Sequence, residues 1–210
     1  MEKVIQSLNS RYAVKKFDNS KSLSDVQINF IQEVLRLTPS SSGIQPWKFL
    51  FITDKTIRAK LAEAAWGQSQ ITDSSVLVVL CARMDLTDTG KAQIALTKEI
   101  RSLTDEQVSG YGNMVMGQID GMADEAAVYK FGSEQCMIAL GILVTSLAIS
   151  GIDACPMGGF SREEFDKILE LSEKKLKSVA LCAVGFKDVN DTASLNKKVR
   201  FPLEELIINI

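Results

Sequence analysis

Arg11, Lys15 and Lys16 sit together in RYAVKKF at residues 11–17, and Lys197, Lys198 and Arg200 in NKKVRF at 196–201, so two basic clusters bracket the chain. What such residues could do is hold an anion, Arg through paired hydrogen bonds and Lys as a point charge. Any single lysine among them is most simply a solvated surface charge, and neither cluster alone identifies a function. A second unusual stretch is TPSSSGIQPWKF, residues 38–49, where three serines and Gly43 lie between Pro39 and the pair Pro46 and Trp47. A third is PMGGF at 156–160, whose glycines let a ligand approach the backbone closely. A plain turn ahead of Ser161 would explain those glycines but not the Pro-Met before them.

The chain contains no histidine. That excludes a Ser-His-Asp triad, a Cys-His dyad and His-ligated metal sites. An enzyme of this composition takes its reactivity from a bound cofactor. Cys81, Cys136, Cys155 and Cys182 are far apart, lie in apolar surroundings and form no CxxC pair. They suit reduced core thiols better than disulfides or zinc, with a catalytic cysteine as the minority alternative, and no metal site is expected. Lys and Arg total 24 against 26 Asp and Glu, and the formal charge of -2 with a pI near 5.4 offers no general attraction to nucleic acid or an anionic membrane. Whatever basic chemistry the chain performs is local.

These residues need elements to position them. With 210 residues and 46% hydrophobic content, one core of ordinary size and a single domain over 1–210 are expected. Ser24 followed by Gln27 resembles a capping box, and Ile28, Ile31 and Leu35 recur at helical spacing, so a helix ends at the serine loop. WKFLFIT at 47–53 reads as a strand and Thr56 to about Ala65 as a helix. VLVVLCA at 76–82 reads as a central strand covered on both faces. Residues 90–130 carry less core signal, with helical segments interrupted by SGYGN at 109–113, and read as a mobile excursion such as a lid.

SEQCMIALGILVTSLAIS at 133–150 is apolar almost all round, a helix buried centrally or against a partner subunit, with Gly151 placed as its C′ residue. IDACPM then leads into GGF, Ser161 and Glu164 open a helix to about Leu171, and KSVALCAVGF at 177–186 is a further strand. The tail ends LEELIINI, apolar enough to be costly in water, and is expected to pack on a sheet of this chain or another. The N-terminus lacks the apolar core of a signal peptide, and Cys136 to Ile149 is short for a membrane span, so a cytoplasmic protein with no membrane partner is expected.

Taken in order along the chain, RYAVKKFD, PSSSGIQPWKF, GQSQI, IDACPMGGF and KKVRFP resemble the FMN-dependent nitroreductase family over essentially its whole length. The resemblance implies a nitroreductase-like α+β fold with a mostly antiparallel sheet flanked by helices. It further implies an intertwined homodimer with two FMN at the subunit interface and a C-terminal segment extending to the partner. The implied chemistry is ping-pong: NADH or NADPH delivers a hydride to FMN and departs, and an aromatic acceptor such as a nitroaromatic or quinone then takes the electrons. By the same resemblance Arg11, Lys198 and Arg200 hold the FMN phosphate, with main-chain contacts from Tyr12 and Ala13. Lys15 falls at the N1 and C2 carbonyl edge of the flavin, where a fixed ammonium would stabilise the charge that develops on reduction.

Gln68 and Gln70, with Gln70 favoured, fall at the pyrimidine rim, where an amide can both donate and accept. Pro156, Met157, Gly158 and Gly159 fall where the backbone covers one flavin face and an N–H reaches N5. Ser40, Ser41 and Ser42 would lie over the partner's flavin. Two departures stand out: Gly158 where many relatives have Glu, and Tyr12 where they often have His or Ser. Other readings within the fold are an enone, dihydropteridine or dehalogenase-like flavoenzyme, and outside catalysis a flavin-binding sensor.

Overall fold

In a computed structural model describing all 210 residues, Glu2–Ser10 form helix α1, and residues 11–17 continue as an extended segment anchored by the Val14 N–H to the Ala154 carbonyl at 3.3 Å. Helix α2, Asp25–Arg36, begins at a true capping box. The Gln27 N–H donates to Ser24 Oγ at 3.3 Å, and the Ser24 N–H donates to Gln27 Oε1 at 2.9 Å. After the serine loop come strand β1 (Trp47–Ile52), helix α3 (Lys55–Glu63), the single turn α4 (Gln70–Asp73) and strand β2 (Val76–Arg83). Helices α5 (Leu86–Ile100), α6 (Asp105–Asp120) and α7 (Glu125–Ile149) follow. Strand β3 (Asp153–Met157), helix α8 (Arg162–Ile168), strand β4 (Leu176–Gly185) and the short α9 (Leu203–Leu206) complete the order.

The four strands form one fully antiparallel sheet in the order β1-β2-β4-β3. Alternate side chains of β2 serve different cores, as a pleated strand requires. Leu77, Val79 and Cys81 face a core with Leu61, Ile71, Phe165 and the N-terminal Val14 and Phe17. Val76, Val78, Leu80 and Ala82 face another with Ile31, Leu35, Cys136, Leu143 and Leu147. Helices thus cover both faces, α3 and α8 on one and α2 and α7 on the other, which is why the inner strand β2 reads as an almost unbroken apolar run and β4 is apolar from Val179 onward. Strands β1 and β3 are the edges.

Helix α7 starts at Glu125, earlier than its apolar run, because the Asp124 side chain caps it by accepting the Ala127 N–H at 2.8 Å. It closes on a Schellman motif: the Ile152 N–H reaches the Leu147 carbonyl at 3.0 Å, and Gly151 takes φ +71°. At 25 residues it is long and apolar enough to cross a membrane by length and composition, unlike the shorter stretch read from sequence, yet Cys136, Ala139, Leu143 and Leu147 are fully buried against the sheet.

The 90–130 region is a helical hairpin. Helix α6 runs straight through SGYGN, and the break falls instead at residues 101–104, where Thr104 and Gln107 form a second capping box. Glycine's weak helix propensity loses here to the cap and to the small core of Ile44, Leu86, Val115 and Ile119. Helix α8 ends at Ile168, a few residues short of the expected Leu171. The C-terminal tail joins no sheet of this chain: Phe201, Leu203, Leu206, Ile207 and Ile208 are all exposed.

Candidate functional site

The extended segment after α1 crosses the β3 edge of the sheet, and the chain returns beside it after β4 through an isolated bridge between Phe17 and Lys187. Arg11, Tyr12 and Ala13 thereby share one cleft of about 450 Å³ with Lys198 and Arg200, although the two clusters lie at opposite ends of the sequence. The Lys198 ammonium donates to the Arg11 carbonyl. None of Arg11, Lys15, Lys198 or Arg200 is paired with a carboxylate. Burial, and then the positive charges of Arg11 and Arg200, hold the Lys198 ammonium below the ordinary lysine range. A cluster of cations that lacks a carboxylate partner is a site suited to an anion.

The main chain adds donors. The N–H groups of Tyr12, Ala13, Gly158 and Gly159 make no hydrogen bond within the chain. The Tyr12 and Ala13 N–H groups share the cleft with the unpaired cations, the donor set a phosphate requires, and the free Gly158 and Gly159 N–H groups are of the kind a polar ring edge requires, so the residues fit the FMN that the resemblance implies.

Lys15 is exposed, with its ammonium free and its N–H fixed by donation to Asp191 Oδ2 at 2.8 Å. Burial pushes the Cys155 thiol on β3 up, and the charges of Lys15 and Arg11 oppose that rise. Asp191 was not singled out from the sequence. It is 5% exposed, and the same oxygen accepts from the Lys16 N–H at 3.2 Å and the Tyr12 hydroxyl at 3.1 Å. Despite its burial, these backbone donors hold its carboxyl below the usual aspartate value. Conversely the Tyr12 phenol is pushed up to about 12 by burial and by Asp191.

Gln68 donates its amide to the carbonyls of Ala65 and Gly159 at 3.0 and 2.8 Å, tying the α3–α4 connection to the PMGG turn and leaving only Oε1 free. Gln70 is largely buried yet its amide bonds to nothing in the protein, so it keeps both donor and acceptor capacity. Pro156 and Met157 end β3, while Gly158 and Gly159 are exposed. A Cβ added at Gly158 would meet no atom within 4 Å, so packing does not dictate glycine there.

Ser40, Ser41 and Ser42 are held elsewhere. The Ser41 N–H donates to the buried Gln135 at 2.8 Å, Ser42 Oγ to Gln118 at 2.7 Å, and the Tyr111 hydroxyl to the Ser42 carbonyl at 3.0 Å. Ser42, Gly43 and Gln45 all take positive φ, 53°, 67° and 53°, a conformation that costs a non-glycine residue energy and persists only under restraint. The loop leads into β1, the edge opposite β3, so a single chain does not bring these serines to the basic cleft. Tyr111 and Gln118, read from the sequence as part of an excursion, are what fix it.

A family model described as the nitroreductase family matches residues 8–186. A Staphylococcus haemolyticus protein provisionally named an NAD(P)H nitroreductase is 31% identical over 214 residues, covering 98% of this chain and 96% of its own. YfkO of Bacillus subtilis, named in the same way, is 32% identical over 80% of this chain and 79% of its own. Among solved structures, a provisionally named nitroreductase from Exiguobacterium sibiricum, crystallised with FMN, superposes with a TM-score of 0.84 at 21% identity, covering 99% of this chain and 97% of its own.

Proposed function

The chain belongs to the nitroreductase family, and from that membership we propose that it is a cytoplasmic, homodimeric, FMN-dependent oxidoreductase that uses NADH or NADPH to reduce nitroaromatic and quinone acceptors by a ping-pong route. The observation that carries the reading is the convergence of unpaired Arg11, Lys198 and Arg200 with the unspent N–H groups of Tyr12 and Ala13 in one cleft. When bound, FMN supplies the redox chemistry, accepting a hydride from the nicotinamide and passing electrons to the acceptor in a separate half-reaction.

The chain's own residues bind and polarise. Arg11, Lys198 and Arg200 hold the phosphate, Arg by a fork and Lys as a point charge. Lys15 keeps a free ammonium at the pyrimidine edge, on a backbone that Asp191 has already fixed, so the stabilising charge is in place before the reaction begins. Gln70 offers both halves of its amide to the pyrimidine rim, and Gln68 an acceptor. Gly158 and Gly159 present bare backbone to the ring and leave the acceptor side unobstructed. The strained serine loop, far from its own chain's cleft, serves the partner's site, and the exposed apolar tail together with the uncovered β1 edge supports an exchange of C-terminal segments between protomers.

The test is direct. A purified yellow dimer that NADH or NADPH bleaches without oxygen, and that nitrofurazone or menadione recolours, is the expected result. A yellow dimer that no nicotinamide bleaches would assign a sensor instead, and a colourless monomer that cannot be reconstituted with FMN would end the flavoprotein reading.

A further inference from the structure

The basic cleft is assembled from two chain segments that share no secondary structure, and one buried carboxylate joins them. Asp191 Oδ1 accepts the Ala193 N–H at 3.1 Å and so starts the turn Thr192–Leu195 that leads to Lys198 and Arg200. Its Oδ2 is spent entirely on the other segment, accepting from the Lys15 N–H, the Lys16 N–H and the Tyr12 hydroxyl. Capping that turn needs only one oxygen. The second oxygen does work that no local role explains, across a separation of 176 residues from Lys15. No cation lies within ion-pairing distance of this carboxylate, so N–H and O–H groups alone compensate its charge.

We propose that Asp191 is a positioning residue for the cofactor site, setting the spacing between the Lys15 end and the Lys198 and Arg200 end, and acting on the cofactor through the placement of Lys15. The inference rests on the flavin reading above. All the groups that surround the carboxylate are donors. Asn at 191 must therefore turn an NH₂ toward either the Ala193 N–H or the cluster of Lys15, Lys16 and Tyr12, and one of the two segments is released. Glu would keep the charge but displace the anchored backbone by a methylene.

The experiment is a double-mutant cycle on FMN affinity, measured by flavin fluorescence on apo protein, between Asp191→Asn and Lys15→Ala, with Gln70→Ala as the uncoupled control. Asp191→Asn is expected to weaken FMN about tenfold, the scale of one charged hydrogen bond. Lys15→Ala should then add little in the Asn background although it weakens binding in the wild type, whereas Gln70→Ala adds its full effect in both. Hydrogen exchange of the apo chain should show lost protection at the Lys15 and Lys16 amides with β2 and β4 unchanged. Additive losses at Asp191 and Lys15, or protected Lys15 and Lys16 amides in the Asn variant, overturn the positioning role while leaving the flavin reading intact. A wild type that binds no FMN overturns both. Should Asp191→Asn fail to fold, Asp191→Glu enters the same cycle with the same expected non-additivity.

Discussion

Lys198→Met separates fold from cofactor in one substitution. The ammonium sits among Arg11 and Arg200 with no carboxylate opposite it, so the apo chain loses mainly repulsion and one exposed hydrogen bond to the Arg11 carbonyl. Apo stability should stay within about 0.5 kcal/mol of wild type, as for surface changes that break no buried network. With the cofactor the sign reverses. A hydrogen bond to a charged group contributes about 1.5–3 kcal/mol, and screening at an exposed rim favours the lower end, so FMN should bind about tenfold more weakly. Riboflavin, which lacks the phosphate, should bind unchanged.

A pH signature follows from the same geometry. Because burial, and then the charges of Arg11 and Arg200, depress the Lys198 pKa, the ammonium is lost at a lower pH than the usual 10.5, and wild-type FMN affinity should begin to fall before an ordinary lysine would deprotonate. The Met variant should lack that step. Apo melting, FMN and riboflavin titrations at low and high salt, and FMN titrations across the alkaline range make up the assay. Equal losses for FMN and riboflavin would refute the phosphate assignment, and a destabilised apo chain would refute the repulsion on which the argument rests.

Lys15→Ala should lower the flavin midpoint potential, measured by redox titration, and an unchanged potential with unchanged binding would remove Lys15 from the ring edge. Tyr12→Phe should flatten the alkaline limb of stability: the phenol titrates near 10 unfolded and about 12 folded, so its contribution is complete below pH 10 and disappears as pH rises to about 12, which urea melts across that window would follow. Gly132→Ala places a Cβ 2.8 Å from the Ala82 Cβ at the α7–β2 contact and should cost about 1–3 kcal/mol in urea unfolding. Gly110→Ala, in the middle of α6 with open space around it, should stabilise by up to about 1 kcal/mol in the same measurement.

Much of the scaffold is legible in local chemistry. The caps at Ser24 and Ser161, the αL Gly151 and the apolar run of β2 each obey a rule that spans a few residues, and the structure forms all of them. SGYGN failed because a cap at Thr104 and packing on Ile44 and Leu86 outweigh two glycines; the cap is itself a local pattern, but the packing is not visible in a short window. The site divides in the same way. No local pattern joins Arg11 to Lys198, and only the resemblance put them together; Asp191 reads as an ordinary turn cap, since nothing in NDTAS announces an oxygen reaching back to Tyr12 and Lys15. The serines were legible as an odd loop, while their restraint by Gln118, Tyr111 and Gln135 was not.

Every strand of the sheet is finished by Gly185, and both buried cores draw only on residues up to Val184, whereas Asp191, Lys198 and Arg200 all come afterwards. A protease that nicks the exposed tail ahead of Lys198 would therefore leave a folded but colourless protein. During translation, on the proposed assignment, Arg11 and Lys15 would emerge first and wait for Lys198 and Arg200, so flavin would load only after the segment that follows β4 has left the ribosome. Colour in a purified sample would then report an intact C-terminal segment, which a melting curve alone would not reveal.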